Sequence, residues 1–120
     1  MRRLITLVAL GSAAALGLSA PALAHTRLVS SNPAANATVK APATITLRFS
    51  ERLVPTFSKF DLSMAAHHMV VPVRTAVSAD GQQIVGTPTA ALAAGEYTVT
   101  WTAASQDGHR MNGHFNFKVG

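Results

Sequence analysis

Residues 92–102 read Leu-Ala-Ala-Gly-Glu-Tyr-Thr-Val-Thr-Trp-Thr, and this stretch is the clearest indication of the fold in the sequence. From Tyr97 onward, large apolar residues alternate with threonines, which is the period-two pattern of a β-strand with one buried face. The turn that precedes Tyr97 predicts a tyrosine corner, in which the tyrosine hydroxyl bonds back to the preceding loop of a β-sandwich. The stretch therefore predicts an all-β domain.

The same alternation occurs elsewhere along the chain. Apolar side chains on one face and polar side chains on the other characterise residues 44–50, 60–64 and 114–119. Weaker strands are expected near residues 26–31, 68–77 and 83–88, and Asn-Pro, Ala-Pro, Asp-Gly and Ala-Gly pairs supply the turns between strands. About seven short strands at such spacings predict a β-sandwich or a small barrel.

Residues 1–24 have the composition of an export signal. A basic start precedes an uncharged, mainly apolar run from Leu4 to Leu18, and Ala22-Leu-Ala24 offers the small residues that a signal peptidase accepts. We predict cleavage after Ala24 and a mature domain of residues 25–120. The alternative is an uncleaved membrane anchor, because the segment from Leu4 to Ala24 is long enough to span a bilayer.

The composition excludes several classes of function. Removing Arg2 and Arg3 with the signal lowers the net side-chain charge from +5 to +3. The remaining basic residues are scattered, so no patch for nucleic acid is predicted. The chain has no cysteine, which excludes thiolate zinc sites, blue-copper centres and thiol redox chemistry. An exported domain without disulfides has to be held together by its core.

His25 is the residue that cleavage would place at the amino terminus. A free amino group and the Nδ1 of the same residue can chelate one ion in a six-membered ring, and such nitrogen donors suit Cu(II) or Ni(II). Because the amine has a reference pKa of about 7.7–8.0, this binding strengthens from acidic to neutral pH. The alternative is that cleavage falls before a histidine by coincidence.

Asp107-Gly108-His109 offers a carboxylate and an imidazole separated by one residue. In an extended segment these positions point the same way, so both could face one ion. The alternative is an Asp-Gly turn with a solvated histidine. With His25 the pair supplies three nitrogens and one oxygen, a tetragonal set that fits Cu(II) better than Zn(II), which prefers a tetrahedron. One Cu(II) per chain is therefore predicted.

These residues make the chain similar to the CopC family of periplasmic copper-binding proteins. The motifs that carry the resemblance span the whole mature region in order: His25-Thr-Arg-Leu28, Ser31-Asn-Pro33, Phe49-Ser-Glu51, Pro88, Leu92-Ala-Ala-Gly-Glu-Tyr97, Trp101, Asp107-Gly-His109, Gly113 and Phe117-Lys-Val119. The resemblance implies a seven-stranded Greek-key β-sandwich or barrel, immunoglobulin-like or cupredoxin-like in appearance. It also implies Cu(II) bound by His25, Asp107 and His109, a periplasmic role in copper resistance or homeostasis, and a CopD-like inner-membrane importer as partner.

Two further features follow from the resemblance. Glu51 matches the family's acid near the copper site, where it is a weak axial ligand or lies just outside the ligands; the alternative is a solvated charge at a strand end. Some family members carry a second, methionine-rich site for Cu(I), a soft ion that prefers thioether sulfur. The weak candidates for such a site are Met64, His67, His68 and Met69. Core packing is the alternative for Met64, because it continues the apolar face of its strand.

Functions from different classes remain open on the sequence alone. The leading interpretation is a monomeric carrier or buffer of exported copper, which needs no catalysis. The second is a histidine-brace copper monooxygenase, for which His25 and His109 supply two histidines but Asp107 would fill a position that oxygen needs. The third is a metal-free immunoglobulin-like interaction module, which the strand pattern supports equally well.

Overall fold

The computed structural model of the chain describes residues 26–120, which form two packed β-sheets. The strands in chain order are β1 Leu28–Asn32, β2 Thr38–Val39, β3 Ile45–Phe49, β4 Lys59–Met64, β5 Met69–Val71, β6 Val73–Val77, β7 Gln83–Pro88, β8 Gly95–Ala104 and β9 Arg110–Val119. A single turn of 3-10 helix lies at Pro55–Phe57 between β3 and β4. The predicted all-β fold class is confirmed.

The strands are divided into a four-stranded and a five-stranded sheet. The first has the order β1-β3-β7-β6 and the second β2-β9-β8-β4-β5. The segment predicted as one strand near residues 68–77 is two strands in different sheets, because Pro72 lacks a backbone N–H and separates β5 from β6. The short β2, which pairs in parallel with β9, has too few residues to show an alternating pattern.

The core consists of the apolar positions of the alternating stretches. Side chains that are almost completely buried come from both sheets, namely Ile45, Leu47, Phe49, Leu62, Ile84, Tyr97, Val99 and Phe117. Within the five-stranded sheet Val99 lies between Leu62 on one neighbouring strand and Phe115 on the other. Each large apolar side chain buried in this way contributes about 1.5–3 kcal/mol to folding.

Tyr97 forms the tyrosine corner that its sequence context predicts. Its hydroxyl donates to the carbonyl oxygen of Ala93 at 2.6 Å. Its ring stacks on Phe117 with the centroids 5.6 Å apart. The start of β8 is thereby tied to the connection that arrives from β7.

Two glycines leave room for aromatic rings, Gly86 between the two sheets and Gly113 within the five-stranded sheet. A Cβ on Gly86 would lie 2.1 Å from Cζ of Phe60, and a Cβ on Gly113 would lie 2.6 Å from the ring of Trp101. The Trp101 ring meets Phe49 edge to face, with the centroids 5.1 Å apart. This aromatic pair joins the two sheets near the point where β3 ends.

Within residues 26–120, no helix is long and apolar enough to cross a membrane. The predicted export signal, its cleavage after Ala24 and the predicted ligand His25 lie outside the residues that the structure describes. They therefore stay predictions.

Candidate metal centre

The turn that carries Asp107 and His109 lies at one end of the sandwich, which we call the proximal end because the described chain begins there. At this end Leu28, the first residue of β1, pairs with Phe49, the last residue of β3. The loop that follows β3 crosses to the other sheet, where Leu53 forms an isolated bridge with Ser105 just after β8. The N–H of Leu53 also donates to the carbonyl of Gly81 at 2.8 Å. One crossing segment thus contacts turns of both sheets.

The amino-terminal side of the domain is held against this crossing segment. The N–H of Arg27 donates to the Ser50 hydroxyl at 2.9 Å, and the N–H of Ser50 donates to the carbonyl of Arg27 at 2.9 Å. Two residues of extended chain span at most about 7 Å. The clamp at Arg27 therefore keeps the start of the described chain at the proximal end.

Asp107 and His109 lie in a tight turn between β8 and β9. The N–H of Gly108 donates to the carbonyl of Ser105, and the N–H of Ser105 donates to the carbonyl of His109, both at 3.0 Å. Gly108 has a φ of 92°, a conformation that glycine adopts without a steric penalty. The prediction that an extended segment aligns Asp107 with His109 is therefore wrong, since a turn brings the two side chains together.

The Asp107 carboxylate accepts hydrogen bonds on both oxygens. Oδ1 accepts from the Ser105 hydroxyl and from the N–H of His109, the latter at 3.0 Å, and Oδ2 lies 2.9 Å from Nδ1 of His109. These contacts hold the pKa of Asp107 well below its ordinary value, the Ser105 hydroxyl having the largest effect and the His109 side chain the next. The carboxylate is therefore anionic over the whole neutral and mildly acidic range.

The contact between Asp107 and His109 defines how the imidazole can bind an ion. Because Nδ1 faces the carboxylate, Nε2 is the nitrogen on the other side of the ring. Histidines that bind metals commonly donate their second ring N–H to a carboxylate, which fixes the tautomer and the ring orientation. The pair can therefore serve a cation in two ways, as two ligands or as an imidazole ligand oriented by Asp107.

The pair cannot complete a metal site from the described residues. Within residues 26–120, no group of three or more His, Asp or Glu side chains is arranged to hold an ion. Both side chains are more than half exposed, so an additional ligand can reach them. His25, outside the described residues, is the predicted source of the missing donors.

Glu51 lies on the crossing segment, next to the serine that clamps Arg27. It is half-buried, and its carboxylate makes no hydrogen bond or ion pair within the described part of the chain. The structure places it at the proximal end but gives no contact between it and Asp107 or His109. Its predicted place beside the ion stays a prediction.

The sequence patterns did not single out Ser105, although its hydroxyl contributes most to the lowered pKa of Asp107. The signal was present as a Ser-x-Asp-Gly sequence from Ser105 to Gly108, because serine and aspartate side chains commonly hydrogen-bond within turns. Ser105 is 5% exposed, so its hydroxyl is held in place by its surroundings.

The candidates for a second site lie at the opposite, distal end of the sandwich. Met64 and Met69 face each other across the β4–β5 pair, and both line a shallow cavity of about 240 Å³. His67 and His68 are exposed in the connecting turn. Met64 is in register with residue 97 of β8 and the proximal turn follows residue 104, a separation of roughly 23 Å at about 3.3 Å per residue. The structure therefore keeps the two groups of candidates apart.

The comparisons with known proteins agree on one family. The sequence profile of the CopC domain matches residues 28–120. A "Copper resistance protein C" of Pseudomonas syringae pv. tomato is 45% identical over 113 residues, which are 89% of this chain and 90% of that protein. The crystal structure of PcoC, a methionine-rich copper resistance protein from Escherichia coli, matches with a TM-score of 0.76 at 40% identity, covering 81% of this chain and 100% of PcoC. CopC from Methylosinus trichosporium OB3b matches with a TM-score of 0.73 at 29% identity, covering 79% and 93% of the two chains.

Proposed function

The chain belongs to the CopC family, and from this membership we propose that its processed form binds one Cu(II) in the periplasm as a carrier or buffer of copper. The proposed ligands are the amino group and the imidazole of His25 together with Asp107 and His109. Copper is the cargo of this protein, and its role is copper resistance or homeostasis. The protein acts as a monomer.

One observation carries the proposal. An anionic carboxylate and an imidazole are held together by hydrogen bonds at the end of the domain where the mature chain would begin. Because Asp107 and His109 are already ordered, an ion that binds there costs less side-chain entropy. Imidazole and amine nitrogens with one carboxylate oxygen are donors that Cu(II) accepts in tetragonal geometry.

The same set of donors favours holding an ion over catalysis. Two nitrogens from His25, one from His109 and one oxygen from Asp107 would fill the four strong positions of a tetragonal Cu(II) ion. A copper monooxygenase needs an open position there for oxygen. We therefore propose a binding protein that passes its copper to another protein, and a CopD-like inner-membrane importer is the proposed acceptor.

The experiment that tests this function compares two amino termini. The authentic chain, residues 25–120, and a chain that begins at Ala22 are titrated with Cu(II), followed by d–d absorbance and EPR. We expect one equivalent with a tetragonal, nitrogen-rich spectrum for the authentic chain. The extended chain should bind Cu(II) at least about 100-fold more weakly, a difference in binding free energy of about 2.8 kcal/mol. The reason is that the backbone nitrogen of its His25 is part of a peptide bond and is no longer an amine. Equal affinities would show that the amino group is not a ligand.

We also propose a weak Cu(I) site at the distal end, formed by Met64 and Met69 with His67 and His68 beside them. The specific support is the cross-strand pairing of the two methionines over one cavity. Thioether sulfur is a soft ligand that Cu(I) prefers. Met69 is 58% exposed, so an ion can reach it from solvent.

A further inference from the structure

The hydroxyl of Thr26 is buried without a hydrogen-bond partner. Thr26 is 1% exposed, and Oγ1 makes no hydrogen bond within residues 26–120. Among the described residues, no other buried side-chain oxygen or nitrogen lacks a hydrogen-bond partner. A buried hydroxyl that loses its bonds to water without replacing them is destabilising, and native proteins contain few such groups.

The position of Thr26 is fixed by the residues that follow it. Arg27 is exposed, and its backbone donates one hydrogen bond to the Ser50 hydroxyl and accepts another from the Ser50 N–H. Because side chains alternate along an extended segment, Thr26 lies on the same side as Leu28, which packs against the core. The hydroxyl therefore points inward at the proximal end, one residue after His25. Valine would fill the same volume there without an unpaired hydroxyl.

We infer that Thr26 is a positioning residue of the proposed copper site, and that its hydroxyl accepts a hydrogen bond from the copper-bound amino group of His25. This inference rests on the proposed function. Signal cleavage turns the His25 peptide nitrogen into an amine, and an amine that binds a metal still carries N–H donors. A hydroxyl oxygen has lone pairs to accept such a bond. The processed, copper-loaded protein thus supplies the partner that Oγ1 lacks.

A hydrogen bond of this kind acts on copper affinity through the orientation of the ligand. Groups that hydrogen-bond to a ligand fix its direction and tune its strength as a donor. The bond would restrict the direction of the His25 amino group when it binds copper. Thr26 itself would not touch the ion.

The test uses the authentic chain from His25 with three substitutions. Thr26→Val keeps the shape and removes the hydroxyl, Thr26→Ser keeps the hydroxyl, and Thr87→Val is a matched control at an exposed position of β7. Cu(II) affinity is measured by competition with a chelator, the coordination by EPR, and the stability of the metal-free chain by its melting temperature.

We expect Thr26→Val to bind Cu(II) about 10-fold more weakly with altered nitrogen hyperfine couplings. Its metal-free melting temperature should stay equal or rise, because an unpaired buried hydroxyl is removed. Thr26→Ser and Thr87→Val should bind like the unsubstituted chain.

Two results would overturn the inference. One is a Thr26→Val chain with the affinity and the EPR spectrum of the unsubstituted chain. The other is a lower melting temperature of metal-free Thr26→Val, which would assign the hydroxyl a partner within the fold. Either result leaves the proposed function standing if the unsubstituted chain binds one Cu(II). Failure of the unsubstituted chain to bind copper would instead remove the proposed function, and the inference with it.

Discussion

Two turns at the proximal end have the same sequence pattern and the same arrangement of hydrogen bonds. Ser78–Gly81 joins β6 to β7, Ser105–Gly108 joins β8 to β9, and both read Ser-x-Asp-Gly. In each, the serine hydroxyl donates to Oδ1 of the aspartate, and the residue after the glycine donates its N–H to the same oxygen at 3.0 Å. Both glycines have positive φ. In both turns the serine hydroxyl is the main reason that the pKa of the aspartate is lowered.

The turns differ in what faces the second carboxylate oxygen. Oδ2 of Asp107 lies 2.9 Å from Nδ1 of His109, whereas Oδ2 of Asp80 lies 3.9 Å from a guanidinium nitrogen of Arg48. The residue after the glycine is His109 in one turn and Gln82 in the other. A hydrogen-bonded, anionic aspartate is therefore ordinary turn chemistry in this fold. The imidazole beside it is what makes one of the turns a candidate for copper.

The largest effect on Cu(II) affinity should come from substituting His109, the residue that distinguishes the two turns. His109→Ala removes a proposed nitrogen ligand, and we expect Cu(II) affinity to fall about 100-fold, or about 2.8 kcal/mol. Gln82→Ala is the matched substitution in the other turn and should leave the affinity unchanged. Chelator competition on the authentic chain from His25 measures both. Equal losses in the two variants would mean that the comparison of the turns does not identify the site.

A smaller effect should come from the serine that the turns share. Ser105→Ala removes the hydrogen bond that contributes most to the lowered pKa of Asp107, so this pKa should rise toward the ordinary value and Cu(II) affinity should fall about 10-fold. A lowered carboxyl pKa stabilises the folded state above the ordinary pKa of about 3.9, and this contribution is lost as pH falls through the lowered pKa. The metal-free variant should therefore lose its stability at a higher pH than the unsubstituted chain.

Ser78→Ala provides the control for this prediction. It should raise the pKa of Asp80 in the same direction and leave copper affinity alone. Carboxyl carbon NMR over an acid titration follows both aspartates in one sample. A Ser105→Ala chain with unchanged copper affinity would show that the ordering of Asp107 has no part in binding.

The smallest effect on copper binding should come from the β4–β5 hairpin at the distal end. Within the described residues, no side-chain hydrogen bond holds His67 or His68 there. Met69→Leu should weaken Cu(I) binding several-fold and leave Cu(II) binding unchanged, because it removes one exposed thioether. Met64→Leu conserves volume in a half-buried position, so its cost in stability should stay below about 1.5 kcal/mol. Competition with a Cu(I)-specific chelator measures the first effect. A loss of Cu(II) binding in either variant would contradict the separation of the two ends.

The parts of this molecule that follow a periodic pattern could be predicted from sequence, and the parts that depend on one hydrogen bond could not. Alternation located the main strands, and the Gly-Glu-Tyr97 pattern predicted the tyrosine corner. The nearness of Asp107 to His109 was predicted with the wrong geometry, because an i, i+2 spacing does not reveal the positive φ at Gly108. Nothing in the sequence singles out Thr26, because only the structure shows that its hydroxyl is buried without a hydrogen-bond partner among the described residues. The ligand role of His25 stays a prediction.

The backbone of Leu53 connects the two turns. Its N–H is bonded to Gly81 in one turn, and its backbone bridges Ser105 in the other. A substitution that displaces the turn without a histidine would therefore shift Leu53, and through it the residue that orders Asp107. Only a change that moves the backbone of Gly81 would act in this way, since the contact to Leu53 is made by the Gly81 carbonyl. For anyone redesigning the domain, the two turns count as one unit.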